Sequence, residues 1–129
     1  MSAWQAIGLG AVLAMLSGCG TAENPVLACQ QRIDSAGRVA SPEDDSFGAA
    51  AYAKVDRKGC NAAQLARLDR VIALTSALPG LSAANEQAGA GGDKAAHMTA
   101  FQRMNDALIE LNDIQQGWRS DLAALEQSQ

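Results

Sequence analysis

The sequence predicts an all-α fold: a small helical bundle of about four helices, with a long C-terminal helix and one disulfide. Three observations support this fold class. Apolar and polar residues do not alternate over strand-length windows anywhere in the chain. Helix-start patterns occur at Asn24-Pro25, at Ser41-Pro42 and at Asn61 with Gln64 three residues later. From Phe101 to Leu125, core-type residues recur in steps of three and four.

The first two predicted helices are short. Asn24 is the expected N-cap of a helix from Pro25 to Ala36, and Gly37 is the expected stop. The second helix is predicted to start at Pro42 and to end at Gly59. Its first turn carries the acidic residues Glu43, Asp44 and Asp45, and its apolar face carries Phe47, Ala51 and Val55. The acidic residues also suggest a cation site, but their place at the positive end of the helix dipole is the simpler explanation.

Asn61 begins the third predicted helix, which Pro79-Gly80 should end. Its apolar face is expected to contain Leu65, Leu68, Ile72 and Thr75. The following stretch, LSAANEQAGAGGD, is rich in glycine and polar residues and predicts a mobile connection between helices. These glycines do not match a phosphate-binding loop, because no Lys-Ser or Lys-Thr follows at the required position.

Asp93 should cap the last and longest helix, whose one clear weakness is Gly117. At 1.5 Å per residue this helix would run about 50 Å, against about 25 Å for the third. Part of its apolar face must therefore pack on the first two helices or on another molecule. Gln115 is a polar interruption of that face, of the kind that fixes register or partner number. The candidate interface residues are Phe101, Met104, Leu108, Leu111, Gln115 and Trp118.

Cys29 and Cys60 are predicted to form the disulfide, since an even pair of cysteines in a small domain is typical of one in an oxidising compartment. Such a bond would stabilise the fold by about 3–4 kcal/mol in the chain-entropy model. A metal site is not expected here, because one His and two separated thiols offer too few ligands.

Composition and residue types argue against several function classes. The formal net charge is −4 and no basic cluster occurs, which argues against nucleic acid and anionic lipid headgroups as partners. His97 is the sole histidine and is expected on an exposed first turn, without the nucleophile and acid of a hydrolytic triad. Asp106, Glu110 and Asp113 are expected on a solvated face, with no aromatic pocket around them. We therefore expect neither an enzyme nor a cofactor.

The N-terminal stretch resembles that of the bacterial lipoproteins. An apolar run of about 11 residues, Ala6 to Leu16, is too short to span a bilayer of roughly 30 Å, and it leads into the lipobox-like sequence Leu16-Ser-Gly-Cys19. The resemblance implies that residues 1–18 are a cleaved signal peptide and that Cys19 is acylated and inserted into a lipid bilayer. Residues 19–24 would then be a tether and residues 25–129 a periplasmic domain.

The residues on either side of the lipobox-like sequence also bear on this resemblance. The stretch before the apolar run lacks the Lys or Arg that is usual in signal peptides, and the alternative is an uncleaved N-terminal helix with a buried thiol. In a host with two membranes, Gly20 after the cysteine implies a location in the outer membrane, facing the periplasm.

Residues 60–70 are similar to the opening helix of the mycobacterial lysozyme-inhibitor lipoproteins. The positions that carry the similarity are Cys60, Leu65, Leu68, Asp69, Gln115 and Trp118, but no cysteine follows Trp118 as it does in that family. The resemblance implies an inhibitor of, or immunity factor against, a lysozyme-like peptidoglycan hydrolase, with NEQAGAGGDK as the inhibitory loop.

The residues themselves favour a protein-interaction module in the cell envelope, for example an accessory of a secretion or conjugation machine. A surface-exclusion or structural lipoprotein is a third alternative. The sequence names neither the envelope protein partner nor the oligomeric state.

Overall fold

A computed structural model describes residues 24–39 and 47–129. These ranges contain α1 (Pro25–Val39), α2 (Ala49–Ala53), α3 (Ala62–Ala90) and α4 (Lys94–Gln127), and no strand. The predicted all-α fold with its long C-terminal helix is confirmed. Among the described helices, none is both long enough and apolar enough to cross a membrane. Residues 1–23, with Cys19, and residues 40–46, with the acidic cluster, lie outside the described residues.

The helices α3 and α4 form a long hairpin, and the predicted caps of both are confirmed. The Asn61 side chain accepts a hydrogen bond from the Gln64 backbone N–H, and the Gln64 side chain accepts one from the Asn61 backbone N–H. The Asp93 carboxylate accepts hydrogen bonds from the backbone N–H groups of Ala95 and Ala96. Each cap therefore satisfies N–H groups that a helix start would otherwise leave unpaired.

The predicted end of α3 at Pro79-Gly80 is wrong, and so is the predicted loop after it. Pro79 lies inside the helix, which continues to Ala90. Only Gly91, Gly92 and Asp93 join the two helices, and Gly92 takes a positive φ of 76° that favours glycine. At 1.5 Å per residue, the 29 residues of α3 span about 44 Å and the 34 residues of α4 about 51 Å. The predicted twofold difference in length is therefore wrong as well.

The helix α1 starts as predicted but does not stop at Gly37. Asn24 Oδ1 accepts hydrogen bonds from the backbone N–H groups of Val26 and Leu27, and the helix continues to Val39. Gly37 is instead a packing residue, since a Cβ there would lie 2.8 Å from the Tyr52 hydroxyl oxygen. The predicted disulfide is confirmed: Cys29 and Cys60 are bonded, with their Cα atoms 5.3 Å apart, and they join α1 to the start of α3.

The predicted second helix is wrong over its described part, where α2 covers only Ala49–Ala53. Phe47 and Gly48 have positive φ angles of 52° and 90°, which an α-helix excludes. After Lys54 the chain leaves the helix and turns at Gly59, where φ is 80°. Arg32 of α1 stabilises this segment, because its guanidinium donates hydrogen bonds to the backbone oxygens of Asp56 and Lys58.

The core occupies one half of the hairpin. There α1 and α2 pack on the N-terminal half of α3 and the C-terminal half of α4, and we call this half the base. The buried apolar residues are Cys29, Ile33, Tyr52, Leu68, Val71, Leu74, Leu78, Ala107, Leu111 and Trp118. From Pro79 to Asp106, a stretch that is described in full, no residue is buried. This other half, the arm, is two helices and their turn without a third layer.

Candidate functional site

The six predicted interface residues of α4 divide into two groups. Leu111 and Trp118 are buried in the core, so they hold the bundle together and do not face a partner. Gln115 is half-buried, and its Nε2 donates a 3.0 Å hydrogen bond to the Tyr52 hydroxyl oxygen. Met104 is also half-buried, whereas Phe101 and Leu108 are exposed. The predicted apolar face is thus internal at the base and external on the arm.

The layer formed by α1 and α2 explains this division. The Tyr52 and Trp118 rings lie 5.9 Å apart between centroids, and Ile33 and Gly37 of α1 line the same crevice as Gln115 and Trp118. Two turns before Gln115 in α4, towards the arm, Leu108 is 39% exposed. The side of α4 that α2 contacts at Gln115 is therefore open on the arm.

Four large apolar side chains form an exposed surface on this open part of α4. They are Met98 (57% exposed), Phe101 (45%), Leu108 (39%) and Ile109 (51%), and we call them the α4 strip. The three-and-four spacing from Met98 to Phe101, Asn105 and Leu108 places them along one side of the helix. Exposed apolar residues that are grouped in this way mark interaction sites, whereas isolated ones do not.

Sequence analysis missed Met98 and Ile109. They sit one helical turn from Phe101 and from Asn105, so the spacing itself contained the signal. The face from Phe101 to Leu125 does not include them, because it leads into the core at the base.

The sole histidine lies at the arm end of the α4 strip. His97 is exposed as predicted, and with Lys94, Met98 and Phe101 it lines a shallow cavity of about 280 Å³. Its imidazole packs across the hairpin turn, since a Cβ on Gly89 would lie 3.3 Å from Nε2. The side chains around His97 are thus one cation, a thioether and an aromatic ring. Such a mixture of apolar and polar side chains is suited to contact with another protein surface.

Ion pairs fix the alignment of α3 and α4 on the base. Arg70 donates two hydrogen bonds, of 2.8 and 2.6 Å, to the two carboxylate oxygens of Glu110, and Arg67 pairs with Asp121. The hydrogen bonds from Arg70 lower the pKa of Glu110 below its ordinary value. The sequence placed Glu110 on a solvated face but did not predict its pairing with Arg70. Because Glu110 bonds α3, it belongs to the hairpin and not to the open surface.

A second concave surface lies between α1 and α2. This groove has a volume of about 880 Å³ and is lined by small and aliphatic side chains with a polar rim: Ala28, Gln31, Arg32, Ser35, Ala36, Ala50, Ala51, Lys54, Val55 and Asp56. Arg32 is already bonded to backbone oxygens there. Within the described residues, no three His, Cys, Asp or Glu side chains lie close enough to hold a metal ion.

Comparisons with known proteins add no further assignment. No protein-family model matches the chain, and neither the search of curated proteins nor the search of solved structures returned a match. The functional assignment therefore depends on the residues and on the geometry described above.

Proposed function

We propose that this chain is a lipid-anchored protein of the bacterial cell envelope that acts by binding other proteins through the α4 strip. The observation that carries the binding role is the uncovered row of Met98, Phe101, Leu108 and Ile109, which runs from the arm to the adjoining end of the base. The lipobox-like sequence before Cys19 supports the anchor. Several acyl chains on one residue are needed for stable attachment, because one chain gives only marginal binding.

The inhibitor alternative depended on a long loop between α3 and α4, and the structure has a short turn there. The segment NEQAGAGGDK was expected to be a long loop that enters a hydrolase cleft, but Asn85 to Ala90 is helical and the turn itself is short. No observation on the described residues favours this alternative over the binding role.

The anchor is tested by mass and by phase partitioning. The native protein should carry a diacylglycerol and an acyl group on Cys19, start at that residue, and enter the detergent phase of Triton X-114. The Cys19→Ser variant should carry no acyl group and should keep its signal peptide, and its intact mass shows both differences. A native protein that is water-soluble and still begins with Met1 would contradict the anchor.

The binding role is tested with a photo-activatable amino acid in the full chain inside cells. Placed at Phe101, the probe should yield crosslinked products, and the Leu108→Asp change should remove them because it puts a charge on the strip. The matched control is the same probe at Thr99, which is exposed on another side of α4. Leu111 is unsuitable for such a change because it is buried. Equal products from both probes would contradict the role of the strip.

A further inference from the structure

The open side of α4 has the spacing of a helix-pairing surface. Met98, Phe101, Asn105, Leu108 and Asn112 follow one another in alternating steps of three and four. This is the heptad spacing with which one helix packs against another. The stretch holds three apolar residues and two asparagines, all of them exposed in the single chain. The expected occupant is therefore a second helix.

The two asparagines indicate what kind of helix fits. An asparagine side chain both donates and accepts hydrogen bonds, so it can face its own copy or another polar side chain. Asparagine at a core position of paired helices selects register and partner number at some cost in stability. In an antiparallel pair of α4 helices, Lys94 of a second copy lies at the level of Asn112 and supplies such a polar group.

The charges at the two ends of the stretch favour an antiparallel arrangement. Lys94 lies at one end and Asp113 at the other, and neither forms an ion pair with a described residue. In two parallel copies, like charges would lie at the same level. In two antiparallel copies, Lys94 of each chain reaches the level of Asn112 and Asp113 in the other, so opposite charges approach each other.

The open length of α4 accommodates this antiparallel arrangement. With a twofold axis beside Arg103, Met98 faces Leu108 of the other copy and Phe101 faces Asn105. The Gly91-Gly92 turn of each copy then comes level with Ile114 of the other, just before the residues where the α1–α2 layer covers α4. The arm of a second copy therefore fits the open length of α4 between the turn and this layer.

We infer that two copies of this chain associate through antiparallel pairing of their α4 strips. The inference rests on the proposed function, since it names a partner for the same surface. The contact is short, so the dimer falls at the small end of protein interfaces, below about 1,200 Å². Attachment to one membrane would raise the effective concentration of the two copies.

Cysteine crosslinking of the full chain in cells tests this pairing. Two differently tagged variants, Met98→Cys and Leu108→Cys, are expressed together and oxidised. The mixed pair should form a disulfide-linked dimer that carries both tags, because facing core positions bring the Cα atoms within disulfide range. Either variant expressed alone should give no dimer above the level of the native chain. The native chain controls for crosslinking through its own cysteines.

Matched variants make the result decisive. Thr99→Cys, next to Met98 but exposed on another side of α4, replaces Met98→Cys as the control and should give no mixed dimer. Adding Phe101→Asp to both crosslinking variants should abolish the product without changing the helical circular dichroism signal. Dimers from each single variant, or no mixed dimer at all, would overturn the inference.

The pairing and the proposed function fail separately. Photo-crosslinks from Phe101 to a different protein, with no mixed disulfide dimer, would overturn self-pairing and leave the binding role intact. A native chain that stays in the aqueous phase would overturn the anchor, and the mixed dimer would still be scored in the same cells.

Discussion

Tyr52 lies where α1, α2 and α4 meet, and its hydroxyl group contacts residues of both α1 and α4. The side chain is 1% exposed, and the hydroxyl accepts a hydrogen bond from Gln115 and lies beside Gly37. Burial raises the pKa of Tyr52 above its ordinary value, while the hydrogen bond from Gln115 acts in the opposite direction. One residue of a five-residue helix thus connects the α1–α2 layer to the hairpin.

The raised pKa of Tyr52 predicts a loss of stability in alkali. Below the unfolded pKa of 10.0 both states hold the proton, and the stabilisation is fully present. As the pH rises from there through the folded pKa, the unfolded state loses the proton first and the free energy of unfolding falls. Urea unfolding of the purified protein should show this fall, and Tyr52→Phe should remove this component.

The chain has one tyrosine, so the ultraviolet absorbance of tyrosinate follows this group alone. The folded protein should titrate at a higher pH than the protein in denaturant. Identical titrations in the two states would contradict the prediction.

Gly37 and Gly117 form a matched pair in which the same change has opposite effects. A Cβ at Gly37 meets the Tyr52 hydroxyl oxygen, so Gly37→Ala should destabilise by about 1–3 kcal/mol, less the helix gain of alanine. At Gly117 a Cβ meets nothing within 4 Å, so Gly117→Ala should stabilise by about 0.5–1 kcal/mol. Chemical denaturation measures both. The interpretation of Gly37 as a packing residue fails if both changes are stabilising.

At the scale of the element, α3 shows how packing outweighs a local signal. A proline inside a helix costs about 3 kcal/mol, because it removes a hydrogen bond and crowds the preceding turn. The helix nevertheless continues through Pro79, since Leu78 is buried before it and Leu81 packs on the core after it. Pro79 itself is exposed, so its ring does not have to fit among the core side chains.

Replacement of Pro79 by alanine should therefore stabilise the protein. The change restores a helical hydrogen bond, and we expect a gain of about 1–2 kcal/mol after the greater freedom of the unfolded chain is subtracted. Thermal and urea unfolding measure the gain, and Gly80→Ala, with nothing near its Cβ, provides a second stabilising variant. A loss of stability on Pro79→Ala would indicate that α3 ends there, as the sequence alone suggests.

At the scale of the whole molecule, the disulfide and the core stabilise the same half. Cys29 and Cys60 tie α1 to the start of α3, 31 residues apart along the chain. In the same half, the Gln64 side-chain amide of α3 donates hydrogen bonds to the Val26 carbonyl and to the Gln30 side chain of α1. The base is therefore held by a covalent bond, by polar contacts and by the buried core, whereas the arm has only the pairing of its two helices.

Removal of the disulfide should destabilise the base strongly. A closed loop of this length predicts a loss of about 3–4 kcal/mol for the Cys29→Ser, Cys60→Ser double variant. In urea, the native protein should unfold at a higher midpoint without a reductant than with one, and its midpoint with a reductant should agree with that of the double variant. An effect well under about 1 kcal/mol would show that α1 is held by packing alone.

The elements of this fold were predictable where the signal is local. Asn24, Asn61 and Asp93 each cap a helix because their side chains reach nearby backbone N–H groups, and this chemistry is visible in a few letters of sequence. The predicted ends failed at Gly37 and Pro79 because burial decides there whether a helix continues. Tyr52 was missed for the same reason, since its partners Gly37 and Gln115 lie in other helices.

The candidate site was predictable only in part. Periodicity identified Phe101 and Leu108 on α4, but the extent of the α1–α2 layer decides which apolar residues stay exposed. That extent follows from the short α2 and from the continuation of α3, both of which tertiary contacts determine. The sequence therefore predicted the helix that carries the α4 strip, but the interface residues that it predicted include both buried core residues and exposed ones.

The exposed turn at Gly91-Gly92 is a suitable site for inserting a tag. It lies at the end of the arm, far from every buried side chain of the described core, and it joins two helices that each carry their own cap. Exposed turns of small residues accept inserted peptides with little effect on the rest of a domain. An epitope or fluorogenic tag placed there would let the protein be followed in living cells without an addition at either terminus.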